Sequence, residues 1–226
     1  MTLGKRLVVQ TLTALLVMFA GLFLTAGTFH YWEAWVFIAA VLIPLVIFFA
    51  YYYKHDPAVV ERRLQRKEMR ERQKWVMRFA AGVSSLGFVI PGFDHRFGWT
   101  RQWFGGVPLW AEISALAIVF VGYVGTMWVI DVNRFASRTI QVEQGQRVVS
   151  RGPYRLVRHP MYMFVLLMWI AVGPALGSLV ALPFLALEIP VLVFRLLDEE
   201  RMLRNDLPGY QEYCRATPHR LIPFLW

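Results

Sequence analysis

The sequence predicts an all-α integral membrane protein of about five or six transmembrane helices, ending in a C-terminal helical hairpin and a cytosolic tail. Three observations predict it. Hydrophobic residues make up 57% of the 226 residues and charged residues only 17%, against about 25% charged in soluble domains. The apolar residues fall in long charge-free runs, and the basic residues fall in alternate loops between them. Such hydrophobicity also excludes intrinsic disorder.

The first run, Leu7 to Phe29, holds 23 residues without a charge, and about 20 suffice to cross the hydrocarbon core. It follows Lys5 and Arg6 as a signal peptide would. It is longer than the ~7–15 residues of a signal core, and Ala26-Gly27-Thr28-Phe29 is a poor cleavage site, so it reads as a retained helix. Ala34 to Tyr53 adds 20 charge-free residues. The segment from Lys54 to Lys74 is basic and polar and reads as a surface helix with a solvated basic face near anionic headgroups. Glu68 and Arg72 form an i,i+4 pair of favourable order there. The segment has almost no aromatics to stack on bases, which argues against nucleic acid. Trp75 to Phe93 is a weaker span, with Arg78 one turn inside and able to snorkel. Leu109 to Ile130 is 22 residues interrupted only by Glu112.

Met161 to Leu187 is 27 residues free of charge, too long for one helix. Gly173-Pro174 and Gly177-Ser178 are stop and turn signals, so the run divides into antiparallel arms over Pro160–Val172 and Leu179–Leu197. The first arm reaches only about 20 Å at 1.5 Å per residue, which suits either a re-entrant arm or a full crossing.

Of the 24 Lys and Arg residues, 22 fall on one side when the N-terminus is inside. The positive-inside rule then puts both termini and both long basic loops in the cytoplasm. Tyr31, Trp32, Trp35, Trp99, Trp103 and Trp110 fit an aromatic belt on the outer side. The formal net charge of +9 is accordingly read as facing anionic lipid. The lone cysteine, Cys214, excludes an intrachain disulfide. It lies beside Arg215, which would lower its pKa, but it reads as a small semi-buried side chain. No metal site is expected, because the five histidines are scattered, without HExxH or paired ligands. Neither GxGxxG nor GxxxxGK[ST] occurs.

Polar chemistry concentrates in two blocks. Gly145 to Tyr162, GQRVVSRGPYRLVRHPMY, packs four arginines, one histidine and two tyrosines at the mouth of the hairpin. Val148-Val149 then Gly152-Pro153 reads as a short strand and a turn. Pro160 suits the first turn of a helix, so Arg158 and His159 sit at a helix N-terminus that favours anions. Arg147, Arg151 and Arg155 read equally as positive-inside anchors. The second block holds Asp198-Glu199-Glu200-Arg201, Tyr210, Tyr213 and Arg220-Leu221-Ile222-Pro223. Arg195 shares a face with Glu199 and with Glu188. Glu188 lies about two turns deep, where ionisable groups face a cavity or a partner. It reads either as a functional group or as half of a buried pair with Arg195.

RGPYRLVRHPMY, a hydrophobic hairpin, DEERMLRNDLPGYQEYCR and HRLIPFLW together resemble the isoprenylcysteine carboxyl methyltransferase family, and its bacterial members in particular through NRFASRTIQVEQGQRVV. The specific match covers about residues 131–226. Met163 stands where a glycine often follows RHPxY. The resemblance implies S-adenosylmethionine as methyl donor, bound from the cytosolic side between the hairpin and a cofactor-binding tail. It implies a lipophilic acceptor entering from the bilayer, most simply a carboxylate of the isoprenylcysteine type or a thiol. It divides one structural domain into residues 1–130, four transmembrane helices with a basic loop at 54–74, and a catalytic region at 131–226. The bacterial resemblance implies the inner (plasma) membrane.

In this reading Arg158, His159 and Glu199 are the catalytic candidates. Tyr154, Arg158, His159, Tyr162, Glu199, Glu200, Tyr210 and Tyr213 are the cofactor-binding candidates, and Arg195 and Glu188 the substrate-binding ones. Glu199 or Glu200 would take the ribose hydroxyls or ammonium, Arg158 a carboxylate, and the tyrosines the adenine or sulfonium. A carboxylate or thiolate acceptor needs no general base, so catalysis reduces mainly to alignment and exclusion of water. An amine or phenol would want one, and His159 is the nearest. Two other classes compete: a membrane sterol-type reductase using NADPH, which resembles this family at the C-terminal motif, and a non-enzymatic transporter or scaffold.

Overall fold

A computed structural model describes residues 2–64, 71–136, 142 and 144–226, and of residues 71 and 72 the backbone only. The described residues contain helices and turns and no strand. Helix α1 (Leu3–Phe19) is capped by the Thr2 hydroxyl, which accepts from the Lys5 N–H, and continues as a π turn over Ala20–Leu24. Then come α2 (Trp32–His55), α3 (Pro57–Leu64), α4 (Glu71–Phe97), α5 (Trp99–Phe104), α6 (Leu109–Val132), α7 (Pro160–Ala175), α8 (Leu182–Ala186), α9 (Glu188–Asp206) and α10 (Tyr210–Ala216). Four stretches are long and apolar enough to cross a membrane: Leu3–Leu24, Trp32–His55, Gln73–Phe97 and Leu109–Val132. They are the four expected before residue 131, and the chain reads as a multi-pass membrane protein. The weaker third span qualifies, and its Arg78 lies over the Trp75 ring, 5.0 Å from the centroid.

Glycines permit the closest helix approaches. A Cβ on Gly125 would stand 2.4 Å from the Phe164 ring, and one on Gly122 2.2 Å from Met168 Cγ, so these side chains of α7 seat directly on the α6 backbone. This is the small-residue packing used between helices in lipid. At Gly92 a Cβ would lie 2.6 Å from the Leu22 carbonyl oxygen, which brings the π turn onto α4.

A polar lock joins the helix ends remote from the basic loops. Asp94 accepts from the Thr100 N–H at 2.7 Å, the Thr100 hydroxyl and the Ser178 hydroxyl at 2.5 Å. Thr100 Oγ1 in turn accepts from the Leu179 N–H at 2.9 Å. Tyr31 is fully buried and donates to the Leu176 carbonyl at 2.6 Å, so it is no part of an interfacial belt. Trp32, Trp35, Trp103 and Trp110 at the same end are exposed.

Three expectations for the local structure are corrected. The second hairpin arm is not one helix over Leu179–Leu197: α8 ends at Ala186, and α9 runs on from Glu188 to Asp206. Pro190 has no N–H for the Ala186 carbonyl four residues back, so the helix breaks there. No strand forms at Val148-Val149, which carry no regular structure, and a 3₁₀ turn follows over Gly152–Arg155. The segment after Lys54 is more than a solvated face, because α3 buries Val59, Val60 and Leu64 against Phe48, Tyr52 and Ile130. The Glu68–Arg72 pair lies outside the described residues.

Candidate active site

The basic end of α7 is built by the tail. The Arg158 and His159 N–H groups donate to the carbonyls of His219 and Arg220, both at 2.9 Å. These two N–H groups, expected to hold an anion, are therefore spent on the chain itself. Proline at the next position contributes no N–H. The Arg158 side chain continues the join: Nη2 lies 3.1 Å from Glu200 Oε1, and Nη1 donates to the Cys214 and Thr217 carbonyls at 3.4 Å. Glu200 is 3% exposed and also receives Arg204 at 2.7 Å and Arg220 at 2.6 Å. Burial alone would raise its carboxyl. The hydrogen bonds from Arg204 and Arg220 and the charge of Arg158 outweigh this and hold it below the usual carboxylate range.

Beside this clamp lies a cleft enclosing about 860 Å³, its open mouth included. Of the residues singled out in the sequence, Tyr154, Arg158, His159, Tyr162, Arg195, Glu199, Tyr210 and Tyr213 line it. Glu200 and Glu188 do not. The two adjacent glutamates are one residue apart on α9 and so point about 100° apart. Glu199 faces the cleft, and Glu200 faces the arginines. Glu188 accepts from the Ser84 hydroxyl on α4 at 2.7 Å, so its buried partner is Ser84 where the pair reading had Arg195, and it stands outside this cleft.

Within the cleft, Glu199 Oε2 accepts from the Tyr162 hydroxyl at 2.7 Å. Burial raises the Glu199 carboxyl against the opposing pull of Tyr162 and Arg195. Tyr213 donates to the Tyr154 carbonyl at 2.7 Å, and the Tyr154 hydroxyl accepts from Asn133 Nδ2 at 2.9 Å. The hydroxyls of those two tyrosines are thus occupied, and their rings remain to line the cleft. Three buried polar atoms of cleft-lining residues have no partner among the described residues: Arg158 Nε, His159 Nε2 and the Tyr210 hydroxyl. Buried polar atoms are nearly always satisfied. Three exceptions around one cleft mark where a polar ligand would make its bonds.

His159 is 4% exposed. Burial, reinforced by Arg158 and Arg220 and opposed by Glu200, lowers its pKa to about 4. The imidazole is held in its neutral form at pH 7 with its basicity lowered, which weakens it as the base that an amine or phenol acceptor would want. The unfolded side chain, at about 6.5, binds more protons than the folded one. Stability is therefore present above pH 6.5 and lost as pH falls from 6.5 towards 4. His159→Gln should lack that part of the pH dependence when unfolding is followed in detergent from pH 8 to 4. Equal slopes for the two proteins would contradict the neutral assignment.

Arg147, open between site and anchor in the sequence, lines the cleft, and sequence reading missed Asn133, Met161 and Met202, which also line it, and Gln73. Gln73 is fully buried on α4 and touches Arg195 and Asp198. Asn133 stands in the stretch that carries the family resemblance and was within reach. Gln73 is more than 120 residues from its partners and has no motif around it. Cys214 is buried, which raises its thiol despite Arg158 and Arg204, so the lowered pKa expected from Arg215 is not found. Among the described residues no three His, Cys, Asp or Glu side chains are placed to hold a metal.

Residues 114–205 match the model of the isoprenylcysteine carboxyl methyltransferase family. The cobalt-zinc-cadmium resistance protein CzcN of Cupriavidus metallidurans is 30% identical over 121 residues, 53% of this chain and 51% of that protein. A Delta(14)-sterol reductase of Mus musculus is 32% identical over 95 residues, 39% of this chain and 22% of the reductase. The nickel-cobalt-cadmium resistance protein NccN of Alcaligenes xylosoxydans xylosoxydans is 26% identical over 107 residues, 47% of this chain and 50% of that protein. The chain thus spans about half the length of the two resistance proteins.

Proposed function

From the isoprenylcysteine carboxyl methyltransferase region that residues 114–205 carry, we propose that this chain is an integral-membrane, S-adenosylmethionine-dependent methyltransferase acting on a lipophilic acceptor. The acceptor class is a carboxylate of the isoprenylcysteine type or a thiol. The protein would sit in a bacterial inner membrane with both termini and the cleft on the cytosolic side, as the distribution of arginine and lysine favours.

The observation that carries the reading is the set of unpartnered buried atoms on Arg158, His159 and Tyr210 around one cleft lined by tyrosines. The donor set fits the cofactor. Arg195 and the Arg158 Nε–H match a carboxylate. Glu199 matches ribose hydroxyls or an ammonium, and neutral His159 and Tyr210 match polar edges. The rings of Tyr154, Tyr162 and Tyr213 match an adenine or a sulfonium. Glu200 is left out of this set, because its oxygens serve three arginines. When bound, S-adenosylmethionine supplies an electrophilic methyl group. The chain's own task is to hold a nucleophile in line with it and to exclude water, an effect worth several kcal/mol. The lowered basicity of His159 fits acceptors already ionised at neutral pH.

The test is calorimetric binding of S-adenosylhomocysteine to the detergent-purified protein, with NADPH as comparison. Saturable micromolar binding that Glu199→Gln weakens by about tenfold, the worth of one charge-assisted hydrogen bond, supports the proposal. The similarity to a sterol reductase favours a second reading, an NADPH-dependent membrane reductase. NADPH binding without S-adenosylhomocysteine binding would replace the first reading with this one. Binding of neither would favour a transporter or scaffold.

A further inference from the structure

Gln73 lies on α4, outside the family-matched region, yet reaches across to the wall of the cleft. Its side chain is 0% exposed. Its Nε2 donates to Asp198 Oδ2 at 2.5 Å, and its Oε1 accepts from Arg195 Nη1 at 3.4 Å. Arg195 and Asp198 stand three apart on α9, one turn of one face, where opposite charges ordinarily pair directly. Here a neutral amide stands between them and bonds to both. Arg195 lines the cleft beside Tyr162 and Glu199, and Asp198 does not. A full carboxylate in place of the amide would neutralise Arg195. An aliphatic group would release it toward Asp198. Only a group that accepts on one side and donates on the other holds the guanidinium in place without cancelling its charge.

We propose that Gln73 is a positioning residue that holds the Arg195 guanidinium at the cleft to read a ligand carboxylate. The inference rests on the methyltransferase reading above. It brings α4, which the C-terminal motifs do not include, into the site as the part that sets specificity for an acid. Two ligands can supply that carboxylate: the amino-acid end of the methyl donor, or an acidic lipophilic acceptor.

The experiment compares wild type, Gln73→Leu, which releases Arg195, and Gln73→Glu, which keeps a contact to Arg195 but neutralises it. Binding of S-adenosylhomocysteine and of 5′-methylthioadenosine, which lacks the carboxylate, is measured by calorimetry. The KM for a prenylcysteine acid is measured in turnover. If the donor's carboxylate is read, Gln73→Leu weakens S-adenosylhomocysteine by about tenfold and leaves 5′-methylthioadenosine unchanged. If the acceptor's is read, both nucleosides bind as in wild type, and KM for the acid rises about tenfold with little change in kcat. In either case Gln73→Glu shows the same selective loss, because Arg195 is then neutralised. Equal weakening of both nucleosides with a lowered Tm in both variants would make Gln73 merely structural and overturn the proposal. So would a Gln73→Leu protein that matches wild type in all three measurements while wild type binds S-adenosylhomocysteine. Wild type that binds neither nucleoside overturns the methyltransferase reading, and this inference with it.

Discussion

Glu200→Gln is expected to destabilise the protein by roughly 3–5 kcal/mol, the cost of removing one partner from a buried charge network. The carboxylate is 3% exposed and is the common partner of Arg158, Arg204 and Arg220. A neutral amide leaves Arg158, itself 6% exposed, with its charge uncompensated. The same clamp fastens the tail to the start of α7, together with the backbone bonds to His219 and Arg220. Loss of stability should therefore appear first as trypsin cleavage after Arg215 or Arg220, before the helices unfold. Arg204 has a side chain 42% exposed, so Arg204→Ala should cost no more than about 1 kcal/mol, as for exposed pairs. The folded carboxyl of Glu200 lies below its ordinary value of 4.5. Its contribution is then present above about pH 4.5 and lost as pH falls through the folded value. That acid-sensitive part should vanish in Glu200→Gln. A variant as stable and as trypsin-resistant as wild type would show that the clamp does not hold the tail.

Gly125→Leu is expected to cost about 3 kcal/mol or more, at the upper end of overpacking. Even the first carbon of a side chain would lie 2.4–2.6 Å from three atoms of the Phe164 ring. The ring belongs to the first turns of α7, the helix that starts with His159 as its N-cap. Pushing α7 away from α6 therefore displaces the cleft as well, and ligand affinity should fall along with stability. Gly125→Ala separates the causes. Alone it should be destabilising, and in a Phe164→Ala background much less so, with a coupling of about 1–3 kcal/mol. Unfolding in a denaturing detergent titration measures both. Additive effects would mean that the two helices can slide apart at no cost.

Much of the fold is legible along the chain because lipid allows few solutions. A run of some 20 apolar residues must satisfy its own backbone, so Leu3–Leu24, Trp32–His55 and Leu109–Val132 follow from composition almost alone. The fourth, Gln73–Phe97, is blurred by Arg78, whose long stem and aromatic neighbour accommodate the charge. The break before α9 is also written in the chain, at Pro190, but the run stays apolar across it and hydropathy alone does not mark it. In the site, the tyrosines, Arg158, His159, Arg195 and Glu199 were legible as polar groups crowded at the mouth of an apolar hairpin.

By itself, then, the sequence determines the helices, their apolar faces and the segment in which the polar chemistry gathers. These depend on properties of neighbouring residues, namely hydropathy, charge and helical period. Only the tertiary structure decides which of those polar groups are available to a ligand. Glu199 and Glu200 are the same residue side by side, and a 100° step around α9 sends one into the cleft and the other into three arginines. Glu188 is settled by Ser84, 104 residues away, and Arg195 by Gln73, 122 residues away. Tyr31 is drawn from the membrane surface to the Leu176 carbonyl, 145 residues away. A buried polar atom must find a partner wherever the fold brings one, and distance along the chain carries no information about where that is.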